Sequence, residues 1–434
     1  MSQYKAYPKY KDSGIEWIGQ VPEHWEVKPF FALVTELNRK NIGLVESNIL
    51  SLSYGNIIQR PETRNLGLTP ESYETYQIVE PDEIVFRFTD LQNDKRSLRS
   101  AIVTQKGIIT SAYMAVKTHG VKSSYFAWII RSYDLCKVFY AMGGGLRQSL
   151  RFEDVKRLLV LVPPYIEQRD IANAINAETT RIDALIEKKT RFIELLKEKR
   201  QALITHAVTK GLDPNVKMKD SGVEWIGQVP EEWLNRKVFH AFQTIGSGTT
   251  PPSKEHEWYQ GGTIPWITTS ELRENTVVKT KKCVTSDAMQ KFSALKIFPA
   301  GSLAIAMYGA TIGRLGFLGI PATTNQACCV LSGERDLNIQ FLYYWLMAFR
   351  DYIVAFFSEG GGQPNINQEV IASLRVPSSA PDEQANIVAT LDRETARIDT
   401  LVEKTKQSIT LLKERRAAFI TAAVTGQIDL RGEH

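Results

Sequence analysis

The sequence has no run of 18 apolar residues free of charge or turn formers, and its opening Met1-Ser2-Gln3-Tyr4-Lys5 lacks the apolar stretch of a secretory signal. Both absences argue against a helical membrane span and predict a soluble, cytoplasmic protein. Cysteine is scarce: Cys136, Cys283, Cys328 and Cys329 form no C-x-x-C pair, so reduced, buried thiols are expected, neither metal ligands nor disulfides. The six histidines, at 24, 119, 206, 240, 256 and 434, have no spacing that gathers metal ligands or joins a nucleophile to a base. A strong excess of one charge is missing as well. The net charge of +5 is too small to argue by itself for a polyanion partner, so only the distribution of charge carries that argument.

Catalytic loops are equally wanting. No Gly-x-x-x-x-Gly-Lys-Ser/Thr is present, and no glycine-rich loop after a strand suits a methyl-donor cofactor. Val162-Pro163-Pro164-Tyr165 resembles the adenine methyltransferase motif, but Val162 stands where that motif has an Asn or Asp to bind the target amino group. A strand leading into a proline-started helix is the better reading. No catalytic residue and no metal site is assigned.

What the chain does have is duplication. At 434 residues, 43% hydrophobic and 23% charged, it is long enough for two or three globular domains. The stretch Lys11-Asp12-Ser13-Gly14-Ile15-Glu16-Trp17-Ile18-Gly19-Gln20-Val21-Pro22-Glu23-His24-Trp25 recurs from Lys219 to Trp233, differing only as Ile15 against Val223 and His24 against Glu232. A second match, at an offset of 216, pairs Glu167-Gln168 with Glu383-Gln384, Arg181-Ile182-Asp183 with Arg397-Ile398-Asp399, and Ala207-Val208-Thr209 with Ala423-Val424-Thr425. Glycine triplets, 143–145 and 360–362, precede each copy. Residues 26–140 and 234–358 align poorly, so the matched parts read as a frame and the divergent parts as whatever differs in task.

From about Tyr165 to Val208 and from about Asp382 to Val424, apolar residues recur at steps of four and three. The first stripe is Ile171, Ile175, Ile182, Leu185, Phe192, Leu196 and Leu203; the second is Ile387, Leu391, Ile398, Leu401, Leu412 and Phe419. Each predicts a helix of about 40 residues, about 60 Å long. Because both copies share one stripe, each is the natural partner of the other, antiparallel about a pseudo-two-fold axis. The fold expected is α+β: a first target-reading domain over 1–164, a long helix over 165–210, a second such domain over 211–378, and a second long helix with the C-terminal tail over 379–434. Short apolar runs such as 83–88, 101–103, 302–307 and 327–331 read as strands, and aromatic stretches at 125–140 and 339–357 as helices.

Within the divergent regions, basic and polar residues interleave with aromatics. Tyr54, Asn56, Arg87, Thr89, Asn93, Lys95, Arg96 and Arg99 in the first, and Thr249, Thr250, Lys254, Thr268, Thr269, Tyr308 and Arg314 in the second, are candidates for DNA contact, together with Arg147, Gln148, Gln363 and Asn365 beside the glycine triplets. Arg and Lys neutralise phosphates, and Arg, Asn and Gln pair with base edges. Such clusters are more often solvated faces; duplication on one frame favours readers of two half-sites.

The twice-written Asp-Ser-Gly-x-Glu-Trp-Ile-Gly-Gln-Val-Pro-Glu-x-Trp, the glycine-rich exits and the Glu-Gln pairs opening helices that carry Arg-Ile-Asp resemble the specificity subunits of type I restriction-modification enzymes. Gly248-Thr249-Thr250-Pro251, Ile264-Pro265-Trp266-Ile267-Thr268-Thr269, Ile312-Gly313 and Asn325-Gln326 resemble that family's target-recognition domains, and the first half does so more weakly. The resemblance implies a non-catalytic, DNA-binding chain that directs two modification subunits, and optionally restriction subunits, to a bipartite sequence. S-adenosylmethionine, ATP and Mg would then belong to those partners. Outer helix positions Arg191, Lys197, Lys199 and Arg200 are candidate docking points. The competing readings are a self-contained DNA methyltransferase or nuclease, and a coiled-coil adaptor for proteins.

Overall fold

The computed structural model describes residues 4–60, 72–91, 94, 97–142, 149–358 and 365–431. The chain divides into two units: 1–190 with 406–434, and 191–405. Both mix helix and strand.

Unit 1 is built on a four-stranded antiparallel sheet in the order Val34–Leu37, Met114–Thr118, Ile84–Phe86, Ser100–Ile102. Ile84, Val85 and Phe86 are all buried, as befits a central strand covered on both faces. The helix Ser123–Leu135 buries Tyr125, Phe126, Ile129, Ile130 and Tyr133, a three-and-four spacing that turns one apolar face to the core. Unit 2 has the related order Phe242–Ser247, Cys328–Glu334, Leu303–Ala306, Leu315–Leu318, with a fifth strand, Asn275–Val277, added in parallel. Its aromatic helix, Ile339–Phe357, buries Phe341, Leu342, Trp345 and Phe349.

The near-identical 15-residue segments form the same small hairpin twice, Tyr10–Asp12 with Gln20–Pro22 and Met218–Asp220 with Gln228–Pro230. Trp25 and Trp233, which end them, are both buried. A two-stranded ribbon then leads into each long helix: Glu26–Pro29 pairs with Leu159–Val162, and Leu234–Lys237 with Arg375–Ser378. Val162-Pro163-Pro164-Tyr165 is therefore the end of a strand and the start of a helix.

The long helices are Tyr165–Lys210, of 46 residues, and Pro381–Val424, of 44. Neither contains an internal Gly or Pro, so nothing interrupts the hydrogen-bond ladder. In unit 1, Ile171, Ala172 and Ile175 share a core with Phe419, Ile420, Ala423 and Val424, while Glu178 and Asp183 pair with Arg415 (2.7 Å) and Arg416 (2.9 Å). In unit 2, Leu196 packs on Ile398 and Val402, and Arg200 pairs with Asp399 at 3.3 Å. Within each unit rising numbers on one helix meet falling numbers on the other, so the segments run antiparallel.

The buried line departs from the apolar stripe read in the sequence. Leu185, Phe192 and Leu401 are exposed. The protected positions are instead 175, 179, 182, 186, 189, 193, 196, 200 and 203, and at the 216 offset 391, 395, 398, 402, 405, 409, 412, 416 and 419. This is an unbroken four-three heptad that includes Thr179, Lys189, Arg200, Thr395, Thr405 and Arg416. Apolar counting skipped these polar positions and slipped onto the residues beside the seam. A second departure concerns cysteine: Cys328 and Cys329 are buried, but Cys283 is partly exposed and Cys136 is exposed.

Candidate nucleic-acid interface

The frame begins with a buried glutamine. Gln168, one turn into the first long helix, accepts from the backbone amide of Lys122 at 2.8 Å and donates to the carbonyl of Pro163 at 2.8 Å. Gln384 accepts from the amide of Asn338 at 2.7 Å and donates to the carbonyls of Ser379 (2.8 Å) and Asp336 (3.1 Å). Each side chain thus satisfies an orphan amide at the start of its unit's aromatic helix and ties that helix to the long one. Lys122 and Asn338 also stand 216 residues apart, so the common frame reaches back into regions where the sequences no longer align. The repeated Glu-Gln pair was the signal, although its role was not legible.

On this frame unit 1 carries the hairpin Leu50–Ser53/Asn56–Gln59. Its two-residue turn puts Tyr54 at φ 46° and Gly55 at φ 79°, the conformation that matches strand twist. Tyr54 is 73% exposed and Asn56 is exposed, so an aromatic ring and an amide project together. The guanidinium of Arg131 donates to the Gly55 carbonyl at 2.5 Å and to that of Ser100 at 2.8 Å. It fills the space that a Cβ at Gly55 would need.

Arg87 and Thr89 are half-buried, and they follow the central strand rather than joining the hairpin tip. Arg99 is a correction. It has no exposed surface, and its guanidinium donates to Thr89 and Asp90 carbonyls (3.1 and 3.3 Å), the Asp94 carbonyl and the Tyr140 hydroxyl. A side chain whose donors are spent holding its own loop has none for DNA. Asn93, Lys95, Arg96, Arg147, Gln148 and Gln363 lie outside the described residues.

In unit 2 the candidates converge. The amide of Gly248 bonds the Thr324 hydroxyl at 3.1 Å, and a Cβ at Gly248 would fall 1.8 Å from the Thr324 carbonyl oxygen, so only glycine allows this approach. Thr250 bonds Gln326, and Trp266 donates to the Thr249 carbonyl at 3.1 Å. The amide of Asn325 reaches Ile267 at 3.0 Å, drawing the Thr268–Thr269 turn to the same edge. Tyr308, 40% exposed, bridges Asn365 on a neighbouring segment. Five segments thereby present hydroxyl, amide and aromatic groups at one edge of the unit. The Thr268 hydroxyl bonds Ser270 and Glu271 at 2.9 and 3.1 Å, which makes it a cap for its own turn. Lys254 is exposed and Arg314 half-exposed, and neither side chain has a hydrogen bond or ion pair among the described residues. Gln326, exposed at this edge, was missed as a contact candidate although Asn325-Gln326 had stood out, and buried Thr324 supports the edge from beneath.

Among the described residues no group of three or more His, Cys, Asp and Glu is placed to hold a metal ion, and no helix is long and apolar enough to cross a membrane.

Each unit combines a sheet, an aromatic helix tied by a buried glutamine to a long-helix segment, and its own set of polar loops. Residues 230–411 match the family model described as the type I restriction modification DNA specificity domain. The chain is similar to type I restriction-modification specificity subunits. It is 22% identical to the putative MjaX specificity subunit of Methanocaldococcus jannaschii, over 95% of this chain and 96% of that one. To the MjaIX specificity subunit of the same organism it is 28% identical, but that match spans 44% of this chain and 43% of the relative. The EcoR124I/EcoR124II specificity subunit of Escherichia coli is 23% identical over 47% of this chain and 48% of its own. Among solved structures, a chain from a study of type I R-M complex assembly and conformational transition superposes with a TM-score of 0.72 at 14% identity, covering 95% of this chain and 99% of that one. The HsdS subunit of Thermoanaerobacter tengcongensis gives 0.57 at 14%, covering 94% and 98%.

Proposed function

We propose that this chain reads a bipartite DNA sequence for a type I restriction-modification complex. Each unit reads one half-site and the paired long helices set the spacer between them. The observation that supports this reading is the frame: identical seam register and equivalent glutamine struts carry two different sets of polar loops. A protein needing one binding surface has no use for two unlike ones on a shared scaffold. In this reading the chain performs no chemistry. Two modification subunits, and optionally restriction subunits, bind it and supply S-adenosylmethionine-dependent methylation and ATP- and Mg-dependent cleavage.

A heptad inserted into both helices, after equivalent positions 189 and 405, adds about 10 Å of rise, or about three base pairs. Mapping methylated adenines in cells carrying this variant should return the parental half-sites with the longer spacer; the parental spacer would refute the helical ruler. Purified chain with DNA and either Mg²⁺ or methyl donor should yield no product. Cleavage or methylation by the chain alone would establish the self-contained enzyme instead.

A further inference from the structure

In unit 2 the carboxylate of Glu271 joins two loops. One oxygen accepts from the amide and the hydroxyl of Thr268, at 2.8 and 3.1 Å, and the other accepts from the amide of Lys281 at 2.8 Å. The second loop, Val278-Lys279-Thr280-Lys281, crosses from Asn275–Val277, an edge strand of the five-stranded sheet, to Lys282–Val284, which pairs with Ile264–Ile267. The Thr280 hydroxyl donates to the Lys282 carbonyl at 2.8 Å and closes the loop on itself. The Lys282 ammonium lies 5.6 Å from the centroid of the Tyr259 ring, and that ring packs edge-on against Trp266 and donates its hydroxyl to the Pro251 carbonyl at 2.6 Å. Three lysines are thereby tethered beside the turns that carry Thr249, Thr250, Thr268 and Thr269.

Their charge is not cancelled locally. Over 249–286 five Lys and Arg residues stand against four Glu, and one of those, Glu274, is already paired with Arg350, which leaves an excess of two positive charges. Lys279 and Lys281 are exposed, and neither side chain has a hydrogen bond or ion pair among the described residues. Lysines at a sheet edge commonly serve only to discourage pairing with another strand. That role needs charge but no tether, whereas here Glu271 fixes the basic loop to the Thr268 turn.

We propose that Lys279 and Lys281 form a clamp for phosphates of duplex DNA, seating the duplex so that the turns beside it meet the base edges. Glu271 is the positioning residue that sets the distance between clamp and turn. The inference rests on the reading of unit 2 as a half-site reader and adds where that unit holds the backbone. Phosphate contacts fix register and orientation and carry no sequence information, so the clamp governs affinity and not the choice of bases.

The probe is a random-sequence duplex of about 30 base pairs, titrated against the full chain by fluorescence anisotropy over a series of salt concentrations. Lys279→Gln with Lys281→Gln should keep the melting temperature, lower the slope of log affinity against log salt by about two, and weaken binding roughly eightfold for each lysine at about 0.1 M salt. Lys279→Arg with Lys281→Arg, which keeps both charges, should bind as the wild type does. Lys217→Gln with Lys404→Gln removes the same net charge at exposed positions elsewhere in the unit and should leave the slope unchanged. In cells, the Gln variant of the clamp should methylate the parental half-sites less completely. A wild-type chain without salt-dependent binding would remove the DNA-reading function and the clamp together. Wild-type binding with an unaltered slope in the clamp variant, or an equal loss in the Lys217 and Lys404 control, would remove the clamp alone. A changed half-site sequence would overturn it in favour of base reading by these lysines.

Discussion

Replacing Gln384 by leucine tests whether the buried glutamine holds a reading unit to the frame. The side chain is fully buried and makes three hydrogen bonds, to the Asn338 amide and to the Ser379 and Asp336 carbonyls. Leucine preserves volume but meets none of them. Ser379 is itself 2% exposed, so its carbonyl bears the full cost of going unsatisfied. The Asn338 amide and Asp336 carbonyl lie nearer the surface and regain water. One unsatisfied buried group at about 1–3 kcal/mol and two ordinary bonds at about 1 kcal/mol sum to roughly 3 kcal/mol or more. Since each 1.4 kcal/mol is a factor of ten, local opening at the start of helix Ile339–Phe357 should become about a hundredfold more frequent. Hydrogen exchange read by mass spectrometry should show this loss of protection over 338–346 and none over 122–130. Gln168→Leu should give the converse. Protection at 338–346 within about threefold of wild type would refute the strut.

Gly55→Ala forces a side chain into positive φ and against the Arg131 guanidinium, and should destabilise the hairpin by about 1–3 kcal/mol, measured as a fall in the denaturation midpoint. Arg99→Met removes a buried guanidinium from its carbonyl partners and should destabilise unit 1 by about 3 kcal/mol while leaving the salt dependence of DNA binding unchanged. Arg314→Ala should do the opposite, with the melting curve preserved and the slope of log affinity against log salt reduced by about one if the side chain meets a phosphate. Acid should loosen the C-terminal segment. The Arg431 hydrogen bond holds the Asp429 carboxyl below its ordinary 3.8, so the stability it contributes is fully present above that value and lost as pH falls through the lower folded-state value. Asp429→Asn should flatten that part of an acid titration followed by exchange at 427–431.

The helices were legible because helix and repeat enforce one another. A seam must recur every three or four residues, and two copies in one register remove the accident from any single match. The exact seam was less legible, because polar residues stand at positions that hydropathy passes over. Thr179 bonds the Ile175 carbonyl within its own helix, and Arg200 pairs its charge with Asp399, so both are held in the seam by polar contacts. The candidate contact edge was harder still. Arg87 and Arg99 look alike as letters in a basic stretch, yet one is partly exposed and the other wholly enclosed.

That contrast has a physical origin which explains why the two halves diverge where they do. A frame position is constrained by period and volume, so unlike residues can replace one another only if they keep the face: Trp128 becomes Tyr344 and still donates to the long helix. A loop position is constrained by what it faces, and its partners lie far away in sequence, as Thr250 and Gln326 do. The glutamine meets the aromatic helix in the same way in both units, whereas that helix meets different loops, through Arg131 and the Gly55 carbonyl in one and through Arg350 and Glu274 in the other. An aromatic helix anchored through one backbone amide can thus meet a different set of loops in each unit, which is where the two halves diverge.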